Sequence, residues 1–390
     1  MKRIFFILWG NPKFYQTLIF LAENLSNKGF EVFILSRNSR SQKDIIKKVN
    51  FGRKTKILES PSIFTGTFNL ADYFMFIIFV FFKTFSLKPQ NLIFFNKKAL
   101  FCSMFLKLFK NKNIKFTYHN FDFELLKNSK NLKEKLLTKL EFSCSKICDN
   151  LIFPSLERSK IFVKHSKNNL SKTFHFMNCF PKKKRIIFNK KFKHFLNKKK
   201  FKKKIICHLG SIGPDHYLEE IIKSIKFLDK KFILIIGGIS IGNYSYKLME
   251  EIKKNDLEDN VFIFQNITNE FWFDILNNSD LGLCFYKQTV LSHKFMAGTS
   301  QKFNNYLYFK IPMLVNNNFD FTNFKKKYDL FNITDPSKPK KLAASINNIF
   351  KNKKRYNQIK INMKKAFKEK LNFDYQYENS YKKILDFSDV

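Results

Sequence analysis

The feature that most constrains this chain is an alternation. Short apolar runs recur along it, separated by longer stretches with helical spacing. "RIFFILW" (3–9), "EVFILS" (31–36), "NLIFF" (91–95), "IKFTYH" (114–119) and "NLIFPS" (150–155) have the length and composition of buried strands. Between the first two lies "FYQTLIFLAENLSNK" (14–28), apolar at helical intervals and closed by Gly29, where a helix end favours glycine. Strand, helix, strand, repeated, predicts a parallel sheet with helices on both faces.

The alternation breaks once. Residues 182–204 carry a dense run of lysines with no clear period, and they are read as a basic linker. The pattern then restarts. "KIICHLGS" (204–211), "KFILIIGG" (231–238), "NVFIFQ" (260–265), "LGLCFY" (281–286) and "IPMLVN" (311–316) predict strands, with helices over 217–228, 271–279 and 302–310. The expected domains are 1–181, the linker 182–204, and 205–365. A final aromatic-rich helix within 366–390 either caps the second domain or crosses back to the first.

Composition bounds the function. With 390 residues, 44% of them hydrophobic, the chain has material for two cores. The net charge of +41 is carried almost wholly by lysine; the arginines are Arg3, Arg37, Arg40, Arg53, Arg158, Arg185 and Arg355. Nucleic-acid readers lean on arginine for bidentate contacts, so a nucleic-acid partner is not expected. Solubilising surface or attraction to an anionic membrane remain open readings of the charge. The six cysteines are scattered, which fits reduced, buried thiols and a cytoplasmic setting. "MKRIFFILWG" reads as a buried strand rather than a signal peptide. In "LADYFMFIIFVFFKTFSL" (70–87), Asp72 and Lys83 interrupt the apolar run. It is expected to be a buried or interfacial helix rather than a span.

Several chemistries lack their residues. The first strand is not followed by G-x-G-x-x-G, and no Walker lysine motif or G-x-S-x-G elbow occurs. No Asp-x-Asp stands at a strand end, so no metal and no resident cofactor are expected. Strand-end loops remain. His119 and Asp122 follow the fourth run of the first half, as either interior polar groups or contacts to a sugar. Gly210, Ser211, Gly213 and His216 follow the first run of the second half, and Gly237 and Gly238 end the next, as plain turns or as a close approach to a ligand. Ser300, Lys302 and Asn305 open the helix "SQKFNNYLYFK". A lysine at a helix N-terminus favours an anion, although a solvated lysine is the plain alternative.

In order, these motifs resemble the GT-B glycosyltransferases, in particular the retaining nucleotide-sugar-dependent group similar to glycosyltransferase family 4. "GNPKFYQTLIFLAENLSNKGFEVFILS" resembles the opening loop, helix and second strand of that family. "YHNFDFE" resembles its histidine loop, and "LEFSCSKICDNLIFPSLERSKIF" its E…D-x-I-x-x-P-S segment. "MNCFP" is similar to the PN-x-P element before the linker. "SDLGLCFY" with "SQKFNNYLYFKIPML" is similar to its donor-domain strand and S-K-x-x-E-Y-x-x-x-G-x-P helix. The resemblance implies an α/β fold of GT-B architecture, two Rossmann-like domains facing across a cleft. It implies an enzyme, moving a sugar from a nucleotide-diphosphate donor to a glycan or lipid-linked acceptor in bacterial surface polysaccharide (lipopolysaccharide or capsule) synthesis, without metal and with retention. The setting would be cytoplasmic, peripheral on the inner face of the plasma membrane.

Position by position, the resemblance puts Lys302 on the donor diphosphate. It puts Asn305 where the family usually has a ribose-binding glutamate, and Ala297 where it has the paired one. Gly210, Ser211, Gly213, His216, Gly237, Gly238 and Ser300 would line the donor. His119 and Asp122 would touch the donor sugar or acceptor, and Gly10 and Asn11 would form the acceptor-side loop. The departures at Asn305 and Ala297 keep one alternative, a non-catalytic nucleotide-sugar-binding protein; another is a GT-B-like sugar-nucleotide epimerase, which would need cleft carboxylates of which few are visible.

Overall fold

The structure, a computed structural model, describes residues 2–37, 49–61, 70–109, 114–129, 131–184, 186–198 and 203–385. Within the expected linker and final helix, residues 185, 199–202 and 386–390 lie outside the described residues. The chain divides into two compact units, one built from residues up to Asn178 together with those from Phe373 onward, the other from Cys179–Asn372.

The first unit begins with β1 (Arg3–Leu8), α1 (Gln16–Asn27), β2 (Glu31–Arg37), β3 (Thr55–Ser60) and α2 (Leu70–Leu87). It continues with β4 (Asn91–Phe95), α3 (Asn96–Leu100), α4 (Cys102–Leu106), β5 (Lys115–His119), α5 (Leu132–Ile147), β6 (Asn150–Phe153), α6 (Leu156–Ser166) and β7 (Thr173–His175). Its strands form one sheet in the order β3-β2-β1-β4-β5-β6-β7. Every pairing is parallel. Ile4 to Leu8 and Leu92 to Phe95 are wholly buried, as strands covered on both faces require.

The second unit runs α7 (Lys191–Lys198), β8 (Lys204–Leu209), α8 (Leu218–Ile225), β9 (Phe232–Gly238), α9 (Tyr244–Lys254), β10 (Val261–Gln265), α10 (Asn269–Asn277) and β11 (Leu281–Cys284). Then come α11 (Gln301–Phe309), β12 (Met313–Asn316), α12 (Phe319–Tyr328), β13 (Phe331–Thr334), α13 (Pro339–Lys351) and α14 (Lys353–Glu369). Its sheet has the order β10-β9-β8-β11-β12-β13, again parallel throughout. The chain closes with α15 (Phe373–Asn379) and α16 (Tyr381–Ile384), which belong to the first unit. There Phe373 and Tyr381 pack on Phe176.

Three differences from the sequence reading have physical causes. The strands β3, β7 and β13 were not expected. They are end strands of their sheets, and "TKILES", "TFH" and "FNIT" hold too few apolar residues to stand out. The basic stretch read as a linker contains α7. Phe192 and Phe195 give that helix an apolar side against Phe264, and the Asp274 carboxylate accepts from the Phe192 amide at 2.8 Å. The final helix is two helices, broken at Ser380.

In each sheet the strand order reverses once, between β1 and β4 and between β8 and β11. At such points the loops leave in opposite directions and open a crevice beyond the carboxyl ends of the strands. Two glycines let the second reversal form. A Cβ on Gly238, whose φ is +151°, would stand 1.7 Å from the Gly210 carbonyl oxygen. A Cβ on Gly282 would lie 2.5 Å from the Tyr306 ring. Gly238→Ala is therefore expected to cost about 3 kcal/mol or more. Gly242→Ala has positive φ but open space around it and should cost about 1 kcal/mol. Chemical denaturation of the two variants checks the contrast.

Candidate functional site

The second unit gathers its reactive side chains at the β8/β11 reversal. The β8–β11 ladder pairs Leu281 with Ile206 and Gly282 with Cys207. Beyond it the Tyr306 hydroxyl takes over: it donates to the Cys207 carbonyl at 3.0 Å and accepts from the Leu209 amide at 3.2 Å. This fixes α11 over the strand ends. Ser300 caps α11, its hydroxyl oxygen accepting from the Phe303 amide at 3.2 Å and pairing with the Tyr286 hydroxyl. Lys302 is thereby held in the first turn, only 5% exposed.

The Lys302 ammonium lies 4.7 Å from the centre of the Tyr286 ring. It is 3.4 Å from Nδ1 of His208 and 3.5 Å from Nε2. Because His208 Nε2 faces the Ser211 carbonyl at 3.4 Å, its proton sits there and Nδ1 is the lone pair that Lys302 meets. His216 Nδ1 donates to the Phe285 carbonyl at 3.1 Å, which leaves Nε2 to accept from the Ser211 hydroxyl at 2.7 Å. Burial, with Lys302 nearby, pushes His216 down to about 2 and His208 well below its usual range, so both rings are neutral. Burial lowers Lys302 to about 8, against a smaller upward pull from the Cys284 and Cys207 thiols. The result is a sequestered cation with a serine hydroxyl close by, an environment that an anion would stabilise. Among the described residues no group of three or more His, Cys, Asp or Glu side chains is placed to hold a metal ion.

Of the predicted donor-side residues, the structure brings Ser211, His216, Ser300 and Lys302 together, with Gly210 against Lys302. A Cβ at Gly210 would stand 3.1 Å from Lys302 Cε. The reading of loop 210–213 as a close approach to a ligand is corrected in part, because two of its amides are already bonded. The Gly210 amide donates to the Gly237 carbonyl and the Ile212 amide to the Ile239 carbonyl. Gly213 lies against Ile241, while Gly237 and Gly238 make room for Leu209 and the Gly210 backbone. Asn305 points elsewhere. With its amide oriented to satisfy both ends, it donates to the Gln301 carbonyl and accepts from the Trp272 indole at 3.1 Å. It joins α11 to α10 rather than to Lys302. His208 and Tyr286 were not singled out from sequence; each looked like one more residue of a buried strand.

In the first unit, His119 ends β5 and is fully buried. Its Nδ1 meets the Tyr381 hydroxyl at 2.6 Å, and its ring lies among Phe95, Phe121 and Phe176. Burial lowers it to about 3, and Nε2 has no hydrogen-bond partner. Asp122 is exposed and paired with Arg158 at 2.9 Å. The loop between them is braced from below: Glu141 accepts from the Tyr118 hydroxyl at 2.7 Å and from the Asn120 amide at 3.1 Å. Burial raises Glu141 to about 7. Gly10 bonds back to the Leu8 carbonyl, and Asn11 caps the turn Pro12–Phe14 through the Lys13 amide at 3.1 Å.

Comparison with known proteins follows this geometry. Residues 189–366 match the family described as Glycosyl transferases group 1. No curated protein matches the chain in sequence. Among solved structures, Alr3699/HepE of Anabaena in complex with UDP and glucose is 12% identical, with 98% of this chain and 99% of that one covered and a TM-score of 0.75. Sucrose-phosphate synthase from Thermosynechococcus elongatus is 11% identical over the same shares, also at 0.75. WaaG, a glycosyltransferase involved in lipopolysaccharide biosynthesis, is 12% identical over the same shares, at 0.70. At these identities the likeness is one of fold.

Glu141 yields a signed test. Its folded pKa lies above the unfolded one, so its contribution to stability is full below about 4.5 and is lost as pH rises through about 7. Glu141→Gln keeps the acceptor for Tyr118 and Asn120 but cannot ionise. Thermal unfolding at pH 5 and pH 8 should show a smaller loss on going to pH 8 in the variant, by up to roughly 3 kcal/mol.

Proposed function

We propose that this chain, which has the GT-B fold and whose residues 189–366 match the glycosyl transferases group 1 family, is a glycosyltransferase that moves a sugar from a nucleoside-diphosphate donor to a glycan or lipid-linked acceptor of a bacterial surface polysaccharide. The observation that carries the donor side is the buried Lys302 ammonium at the carboxyl ends of β8 and β11, with the Ser211 hydroxyl bonded to His216 beside it. As the bond to the anomeric carbon breaks, negative charge grows on the leaving diphosphate. A cation already stripped of water and fixed in place stabilises that charge without reorganisation. His216 holds the Ser211 hydroxyl oriented at 2.7 Å, and by turning away from the neutral imidazole that hydroxyl can donate to a phosphate oxygen. With charge compensation supplied this way, the reaction is metal-independent in this reading, and the acceptor attacks with retention at the anomeric carbon.

The acceptor side rests on Gly10, Asn11, His119 and Asp122. His119 offers the unpartnered Nε2 and Asp122 an exposed carboxylate to a hydroxyl. The solved HepE structure holds UDP and glucose, and WaaG serves lipopolysaccharide synthesis, which favours a uridine nucleotide and a surface glycan here. The described cysteines are all buried and free, which fits the reducing cytoplasm where nucleotide sugars are consumed.

Thermal unfolding in the presence of UDP, UDP-sugars and the matching adenosine and guanosine compounds tests the donor. A ligand at a hundredfold excess over its Kd adds about 2.7 kcal/mol to stability. For a domain of this size that is a rise of roughly 5–10 °C. Lys302→Ala should abolish the rise and slow transfer by about 100- to 1000-fold. Turnover within threefold of wild type would remove Lys302 from the site.

The depressed Lys302 gives the pH dependence. In the free protein it loses its proton near pH 8, whereas UDP phosphates are already ionised above about pH 7. UDP affinity should therefore fall as pH rises from 7 to 9, measured by isothermal titration. An exposed lysine would hold affinity flat until about pH 10.

A further inference from the structure

Helix α2 is built inside out. Three of its polar side chains, Asp72, Tyr73 and Thr84, face the protein. Asp72 is 1% exposed and pairs with Arg37 at 3.3 Å, and Arg37 lies over the Trp9 ring. The Tyr73 hydroxyl donates to the Lys98 carbonyl at 2.6 Å, and the buried Thr84 hydroxyl donates back to the Val80 carbonyl at 2.8 Å. Its outward side is apolar: Leu70, Phe74, Phe82 and Phe85 are all more than half exposed, between 57% and 73%. At about 100° per residue these four fall within one arc of roughly 120°. Helix α4 packs beside α2, and it and the following turn add exposed Phe105 and Leu108. A surface helix in water has the opposite arrangement.

Only an apolar or amphipathic partner compensates such a face, and charge selects which one. Across residues 70–109 Asp72 is the single acidic residue, and it is buried and paired. The same stretch holds Lys83, Lys88, Lys97, Lys98 and Lys107. A second copy of this chain would set those lysines against their equivalents, under a net charge of +41 on each chain. An anionic lipid surface offers the complement to both features, acyl chains for the aromatic residues and headgroups for the ammoniums. Among the described residues α2 is long and apolar enough to cross a bilayer. It does not do so here, because Phe76, Ile77 and Val80 are buried in the first unit.

We infer that the outer face of α2, with the adjoining part of α4, is a docking surface that lies in the headgroup region of an anionic bilayer. This rests on the reading of the chain as a transferase acting on a lipid-linked acceptor, and it names the surface that brings the enzyme to that acceptor. Phe74, Phe82 and Phe85 enter the acyl boundary, while Lys83, Lys88 and Lys107 reach the phosphates.

The test uses the full chain and sedimentation with vesicles of phosphatidylcholine alone or with about one third phosphatidylglycerol. Wild type should co-sediment with the anionic vesicles and only weakly with the neutral ones. Phe74→Ser/Phe82→Ser/Phe85→Ser removes exposed groups and should fold normally, yet lose at least about tenfold in vesicle affinity. Lys83→Glu/Lys88→Glu/Lys107→Glu should lose the preference for anionic lipid. A Phe82→Trp variant should show a blue-shifted emission that brominated lipid quenches.

The proposal is overturned if the triple serine variant binds vesicles as wild type does, or if the indole emission of the Phe82→Trp variant is unmoved by lipid. It is also overturned if wild type ignores vesicles and instead forms a concentration-dependent dimer that the serine substitutions dissociate. Stabilisation by UDP is read on the same samples. Loss of vesicle binding by wild type with UDP stabilisation intact sinks the docking surface alone, and loss of UDP stabilisation in wild type sinks the donor reading.

Discussion

The Tyr306 hydroxyl is the hinge on which the candidate donor site depends. Parallel strands that diverge at a reversal leave backbone groups behind, and a buried amide or carbonyl without a partner is costly. Here one side-chain oxygen serves two of them, the Leu209 amide and the Cys207 carbonyl. Gly282 makes this feasible, because any side chain there would collide with the Tyr306 ring. With Tyr306 seated, the first turn of α11 stands over the end of β8, and the ammonium of Lys302, one turn earlier, meets His208. The position of a reactive cation thus follows from the repair of a sheet defect.

The first unit solves a similar problem with a buried carboxyl. Glu141 lies fully buried, and its Oε1 ties Tyr118 on β5 to Asn120 in the loop beyond. His119, between those two residues, is directed the other way, to Tyr381 from the end of the chain. A neutral imidazole whose Nδ1 meets a tyrosine hydroxyl has its second nitrogen left over, and Nε2 is the buried atom without a partner. In each unit a candidate group has its partner far away in sequence, 94 positions for Lys302 with His208 and 262 for His119 with Tyr381.

That separation explains what was legible beforehand. The buried central strands announced themselves, since "RIFFILW" or "KFILIIGG" admits little else once it must be covered on both faces. The order of motifs gave the two-sheet architecture. End strands such as "TFH" did not show, because half of their backbone faces no neighbour and their composition need not be apolar. Lys302 and His216 were singled out because one opens a helix after a strand-end loop and the other closes the short turn Pro214–His216 in such a loop. His208 was hidden inside an apolar run, and nothing in "KIICHLGS" says that its ring meets an ammonium from α11. Asn305 shows the limit of spacing arguments. Three residues from Lys302, it shares a side of the helix by count, yet Trp272 draws its amide away.

The lysine excess is where composition misleads and burial decides. Lysines this numerous, spread over a surface, dilute any single one as evidence, and most of them need no explanation beyond solubility. Among the described residues Lys302 is the only buried lysine, and burying an ammonium without a carboxylate costs stability that a soluble protein has no reason to bear. The same reasoning applied to apolar groups picks out α2. Exposed phenylalanines are common enough singly; a helix that turns Asp72 and Thr84 inward and Phe74, Phe82 and Phe85 outward is not. Each anomaly is a residue type on the wrong side of the water boundary, and a partner of the complementary kind would relieve it: an anion at Lys302 and, in the docking proposed above, an anionic bilayer at α2.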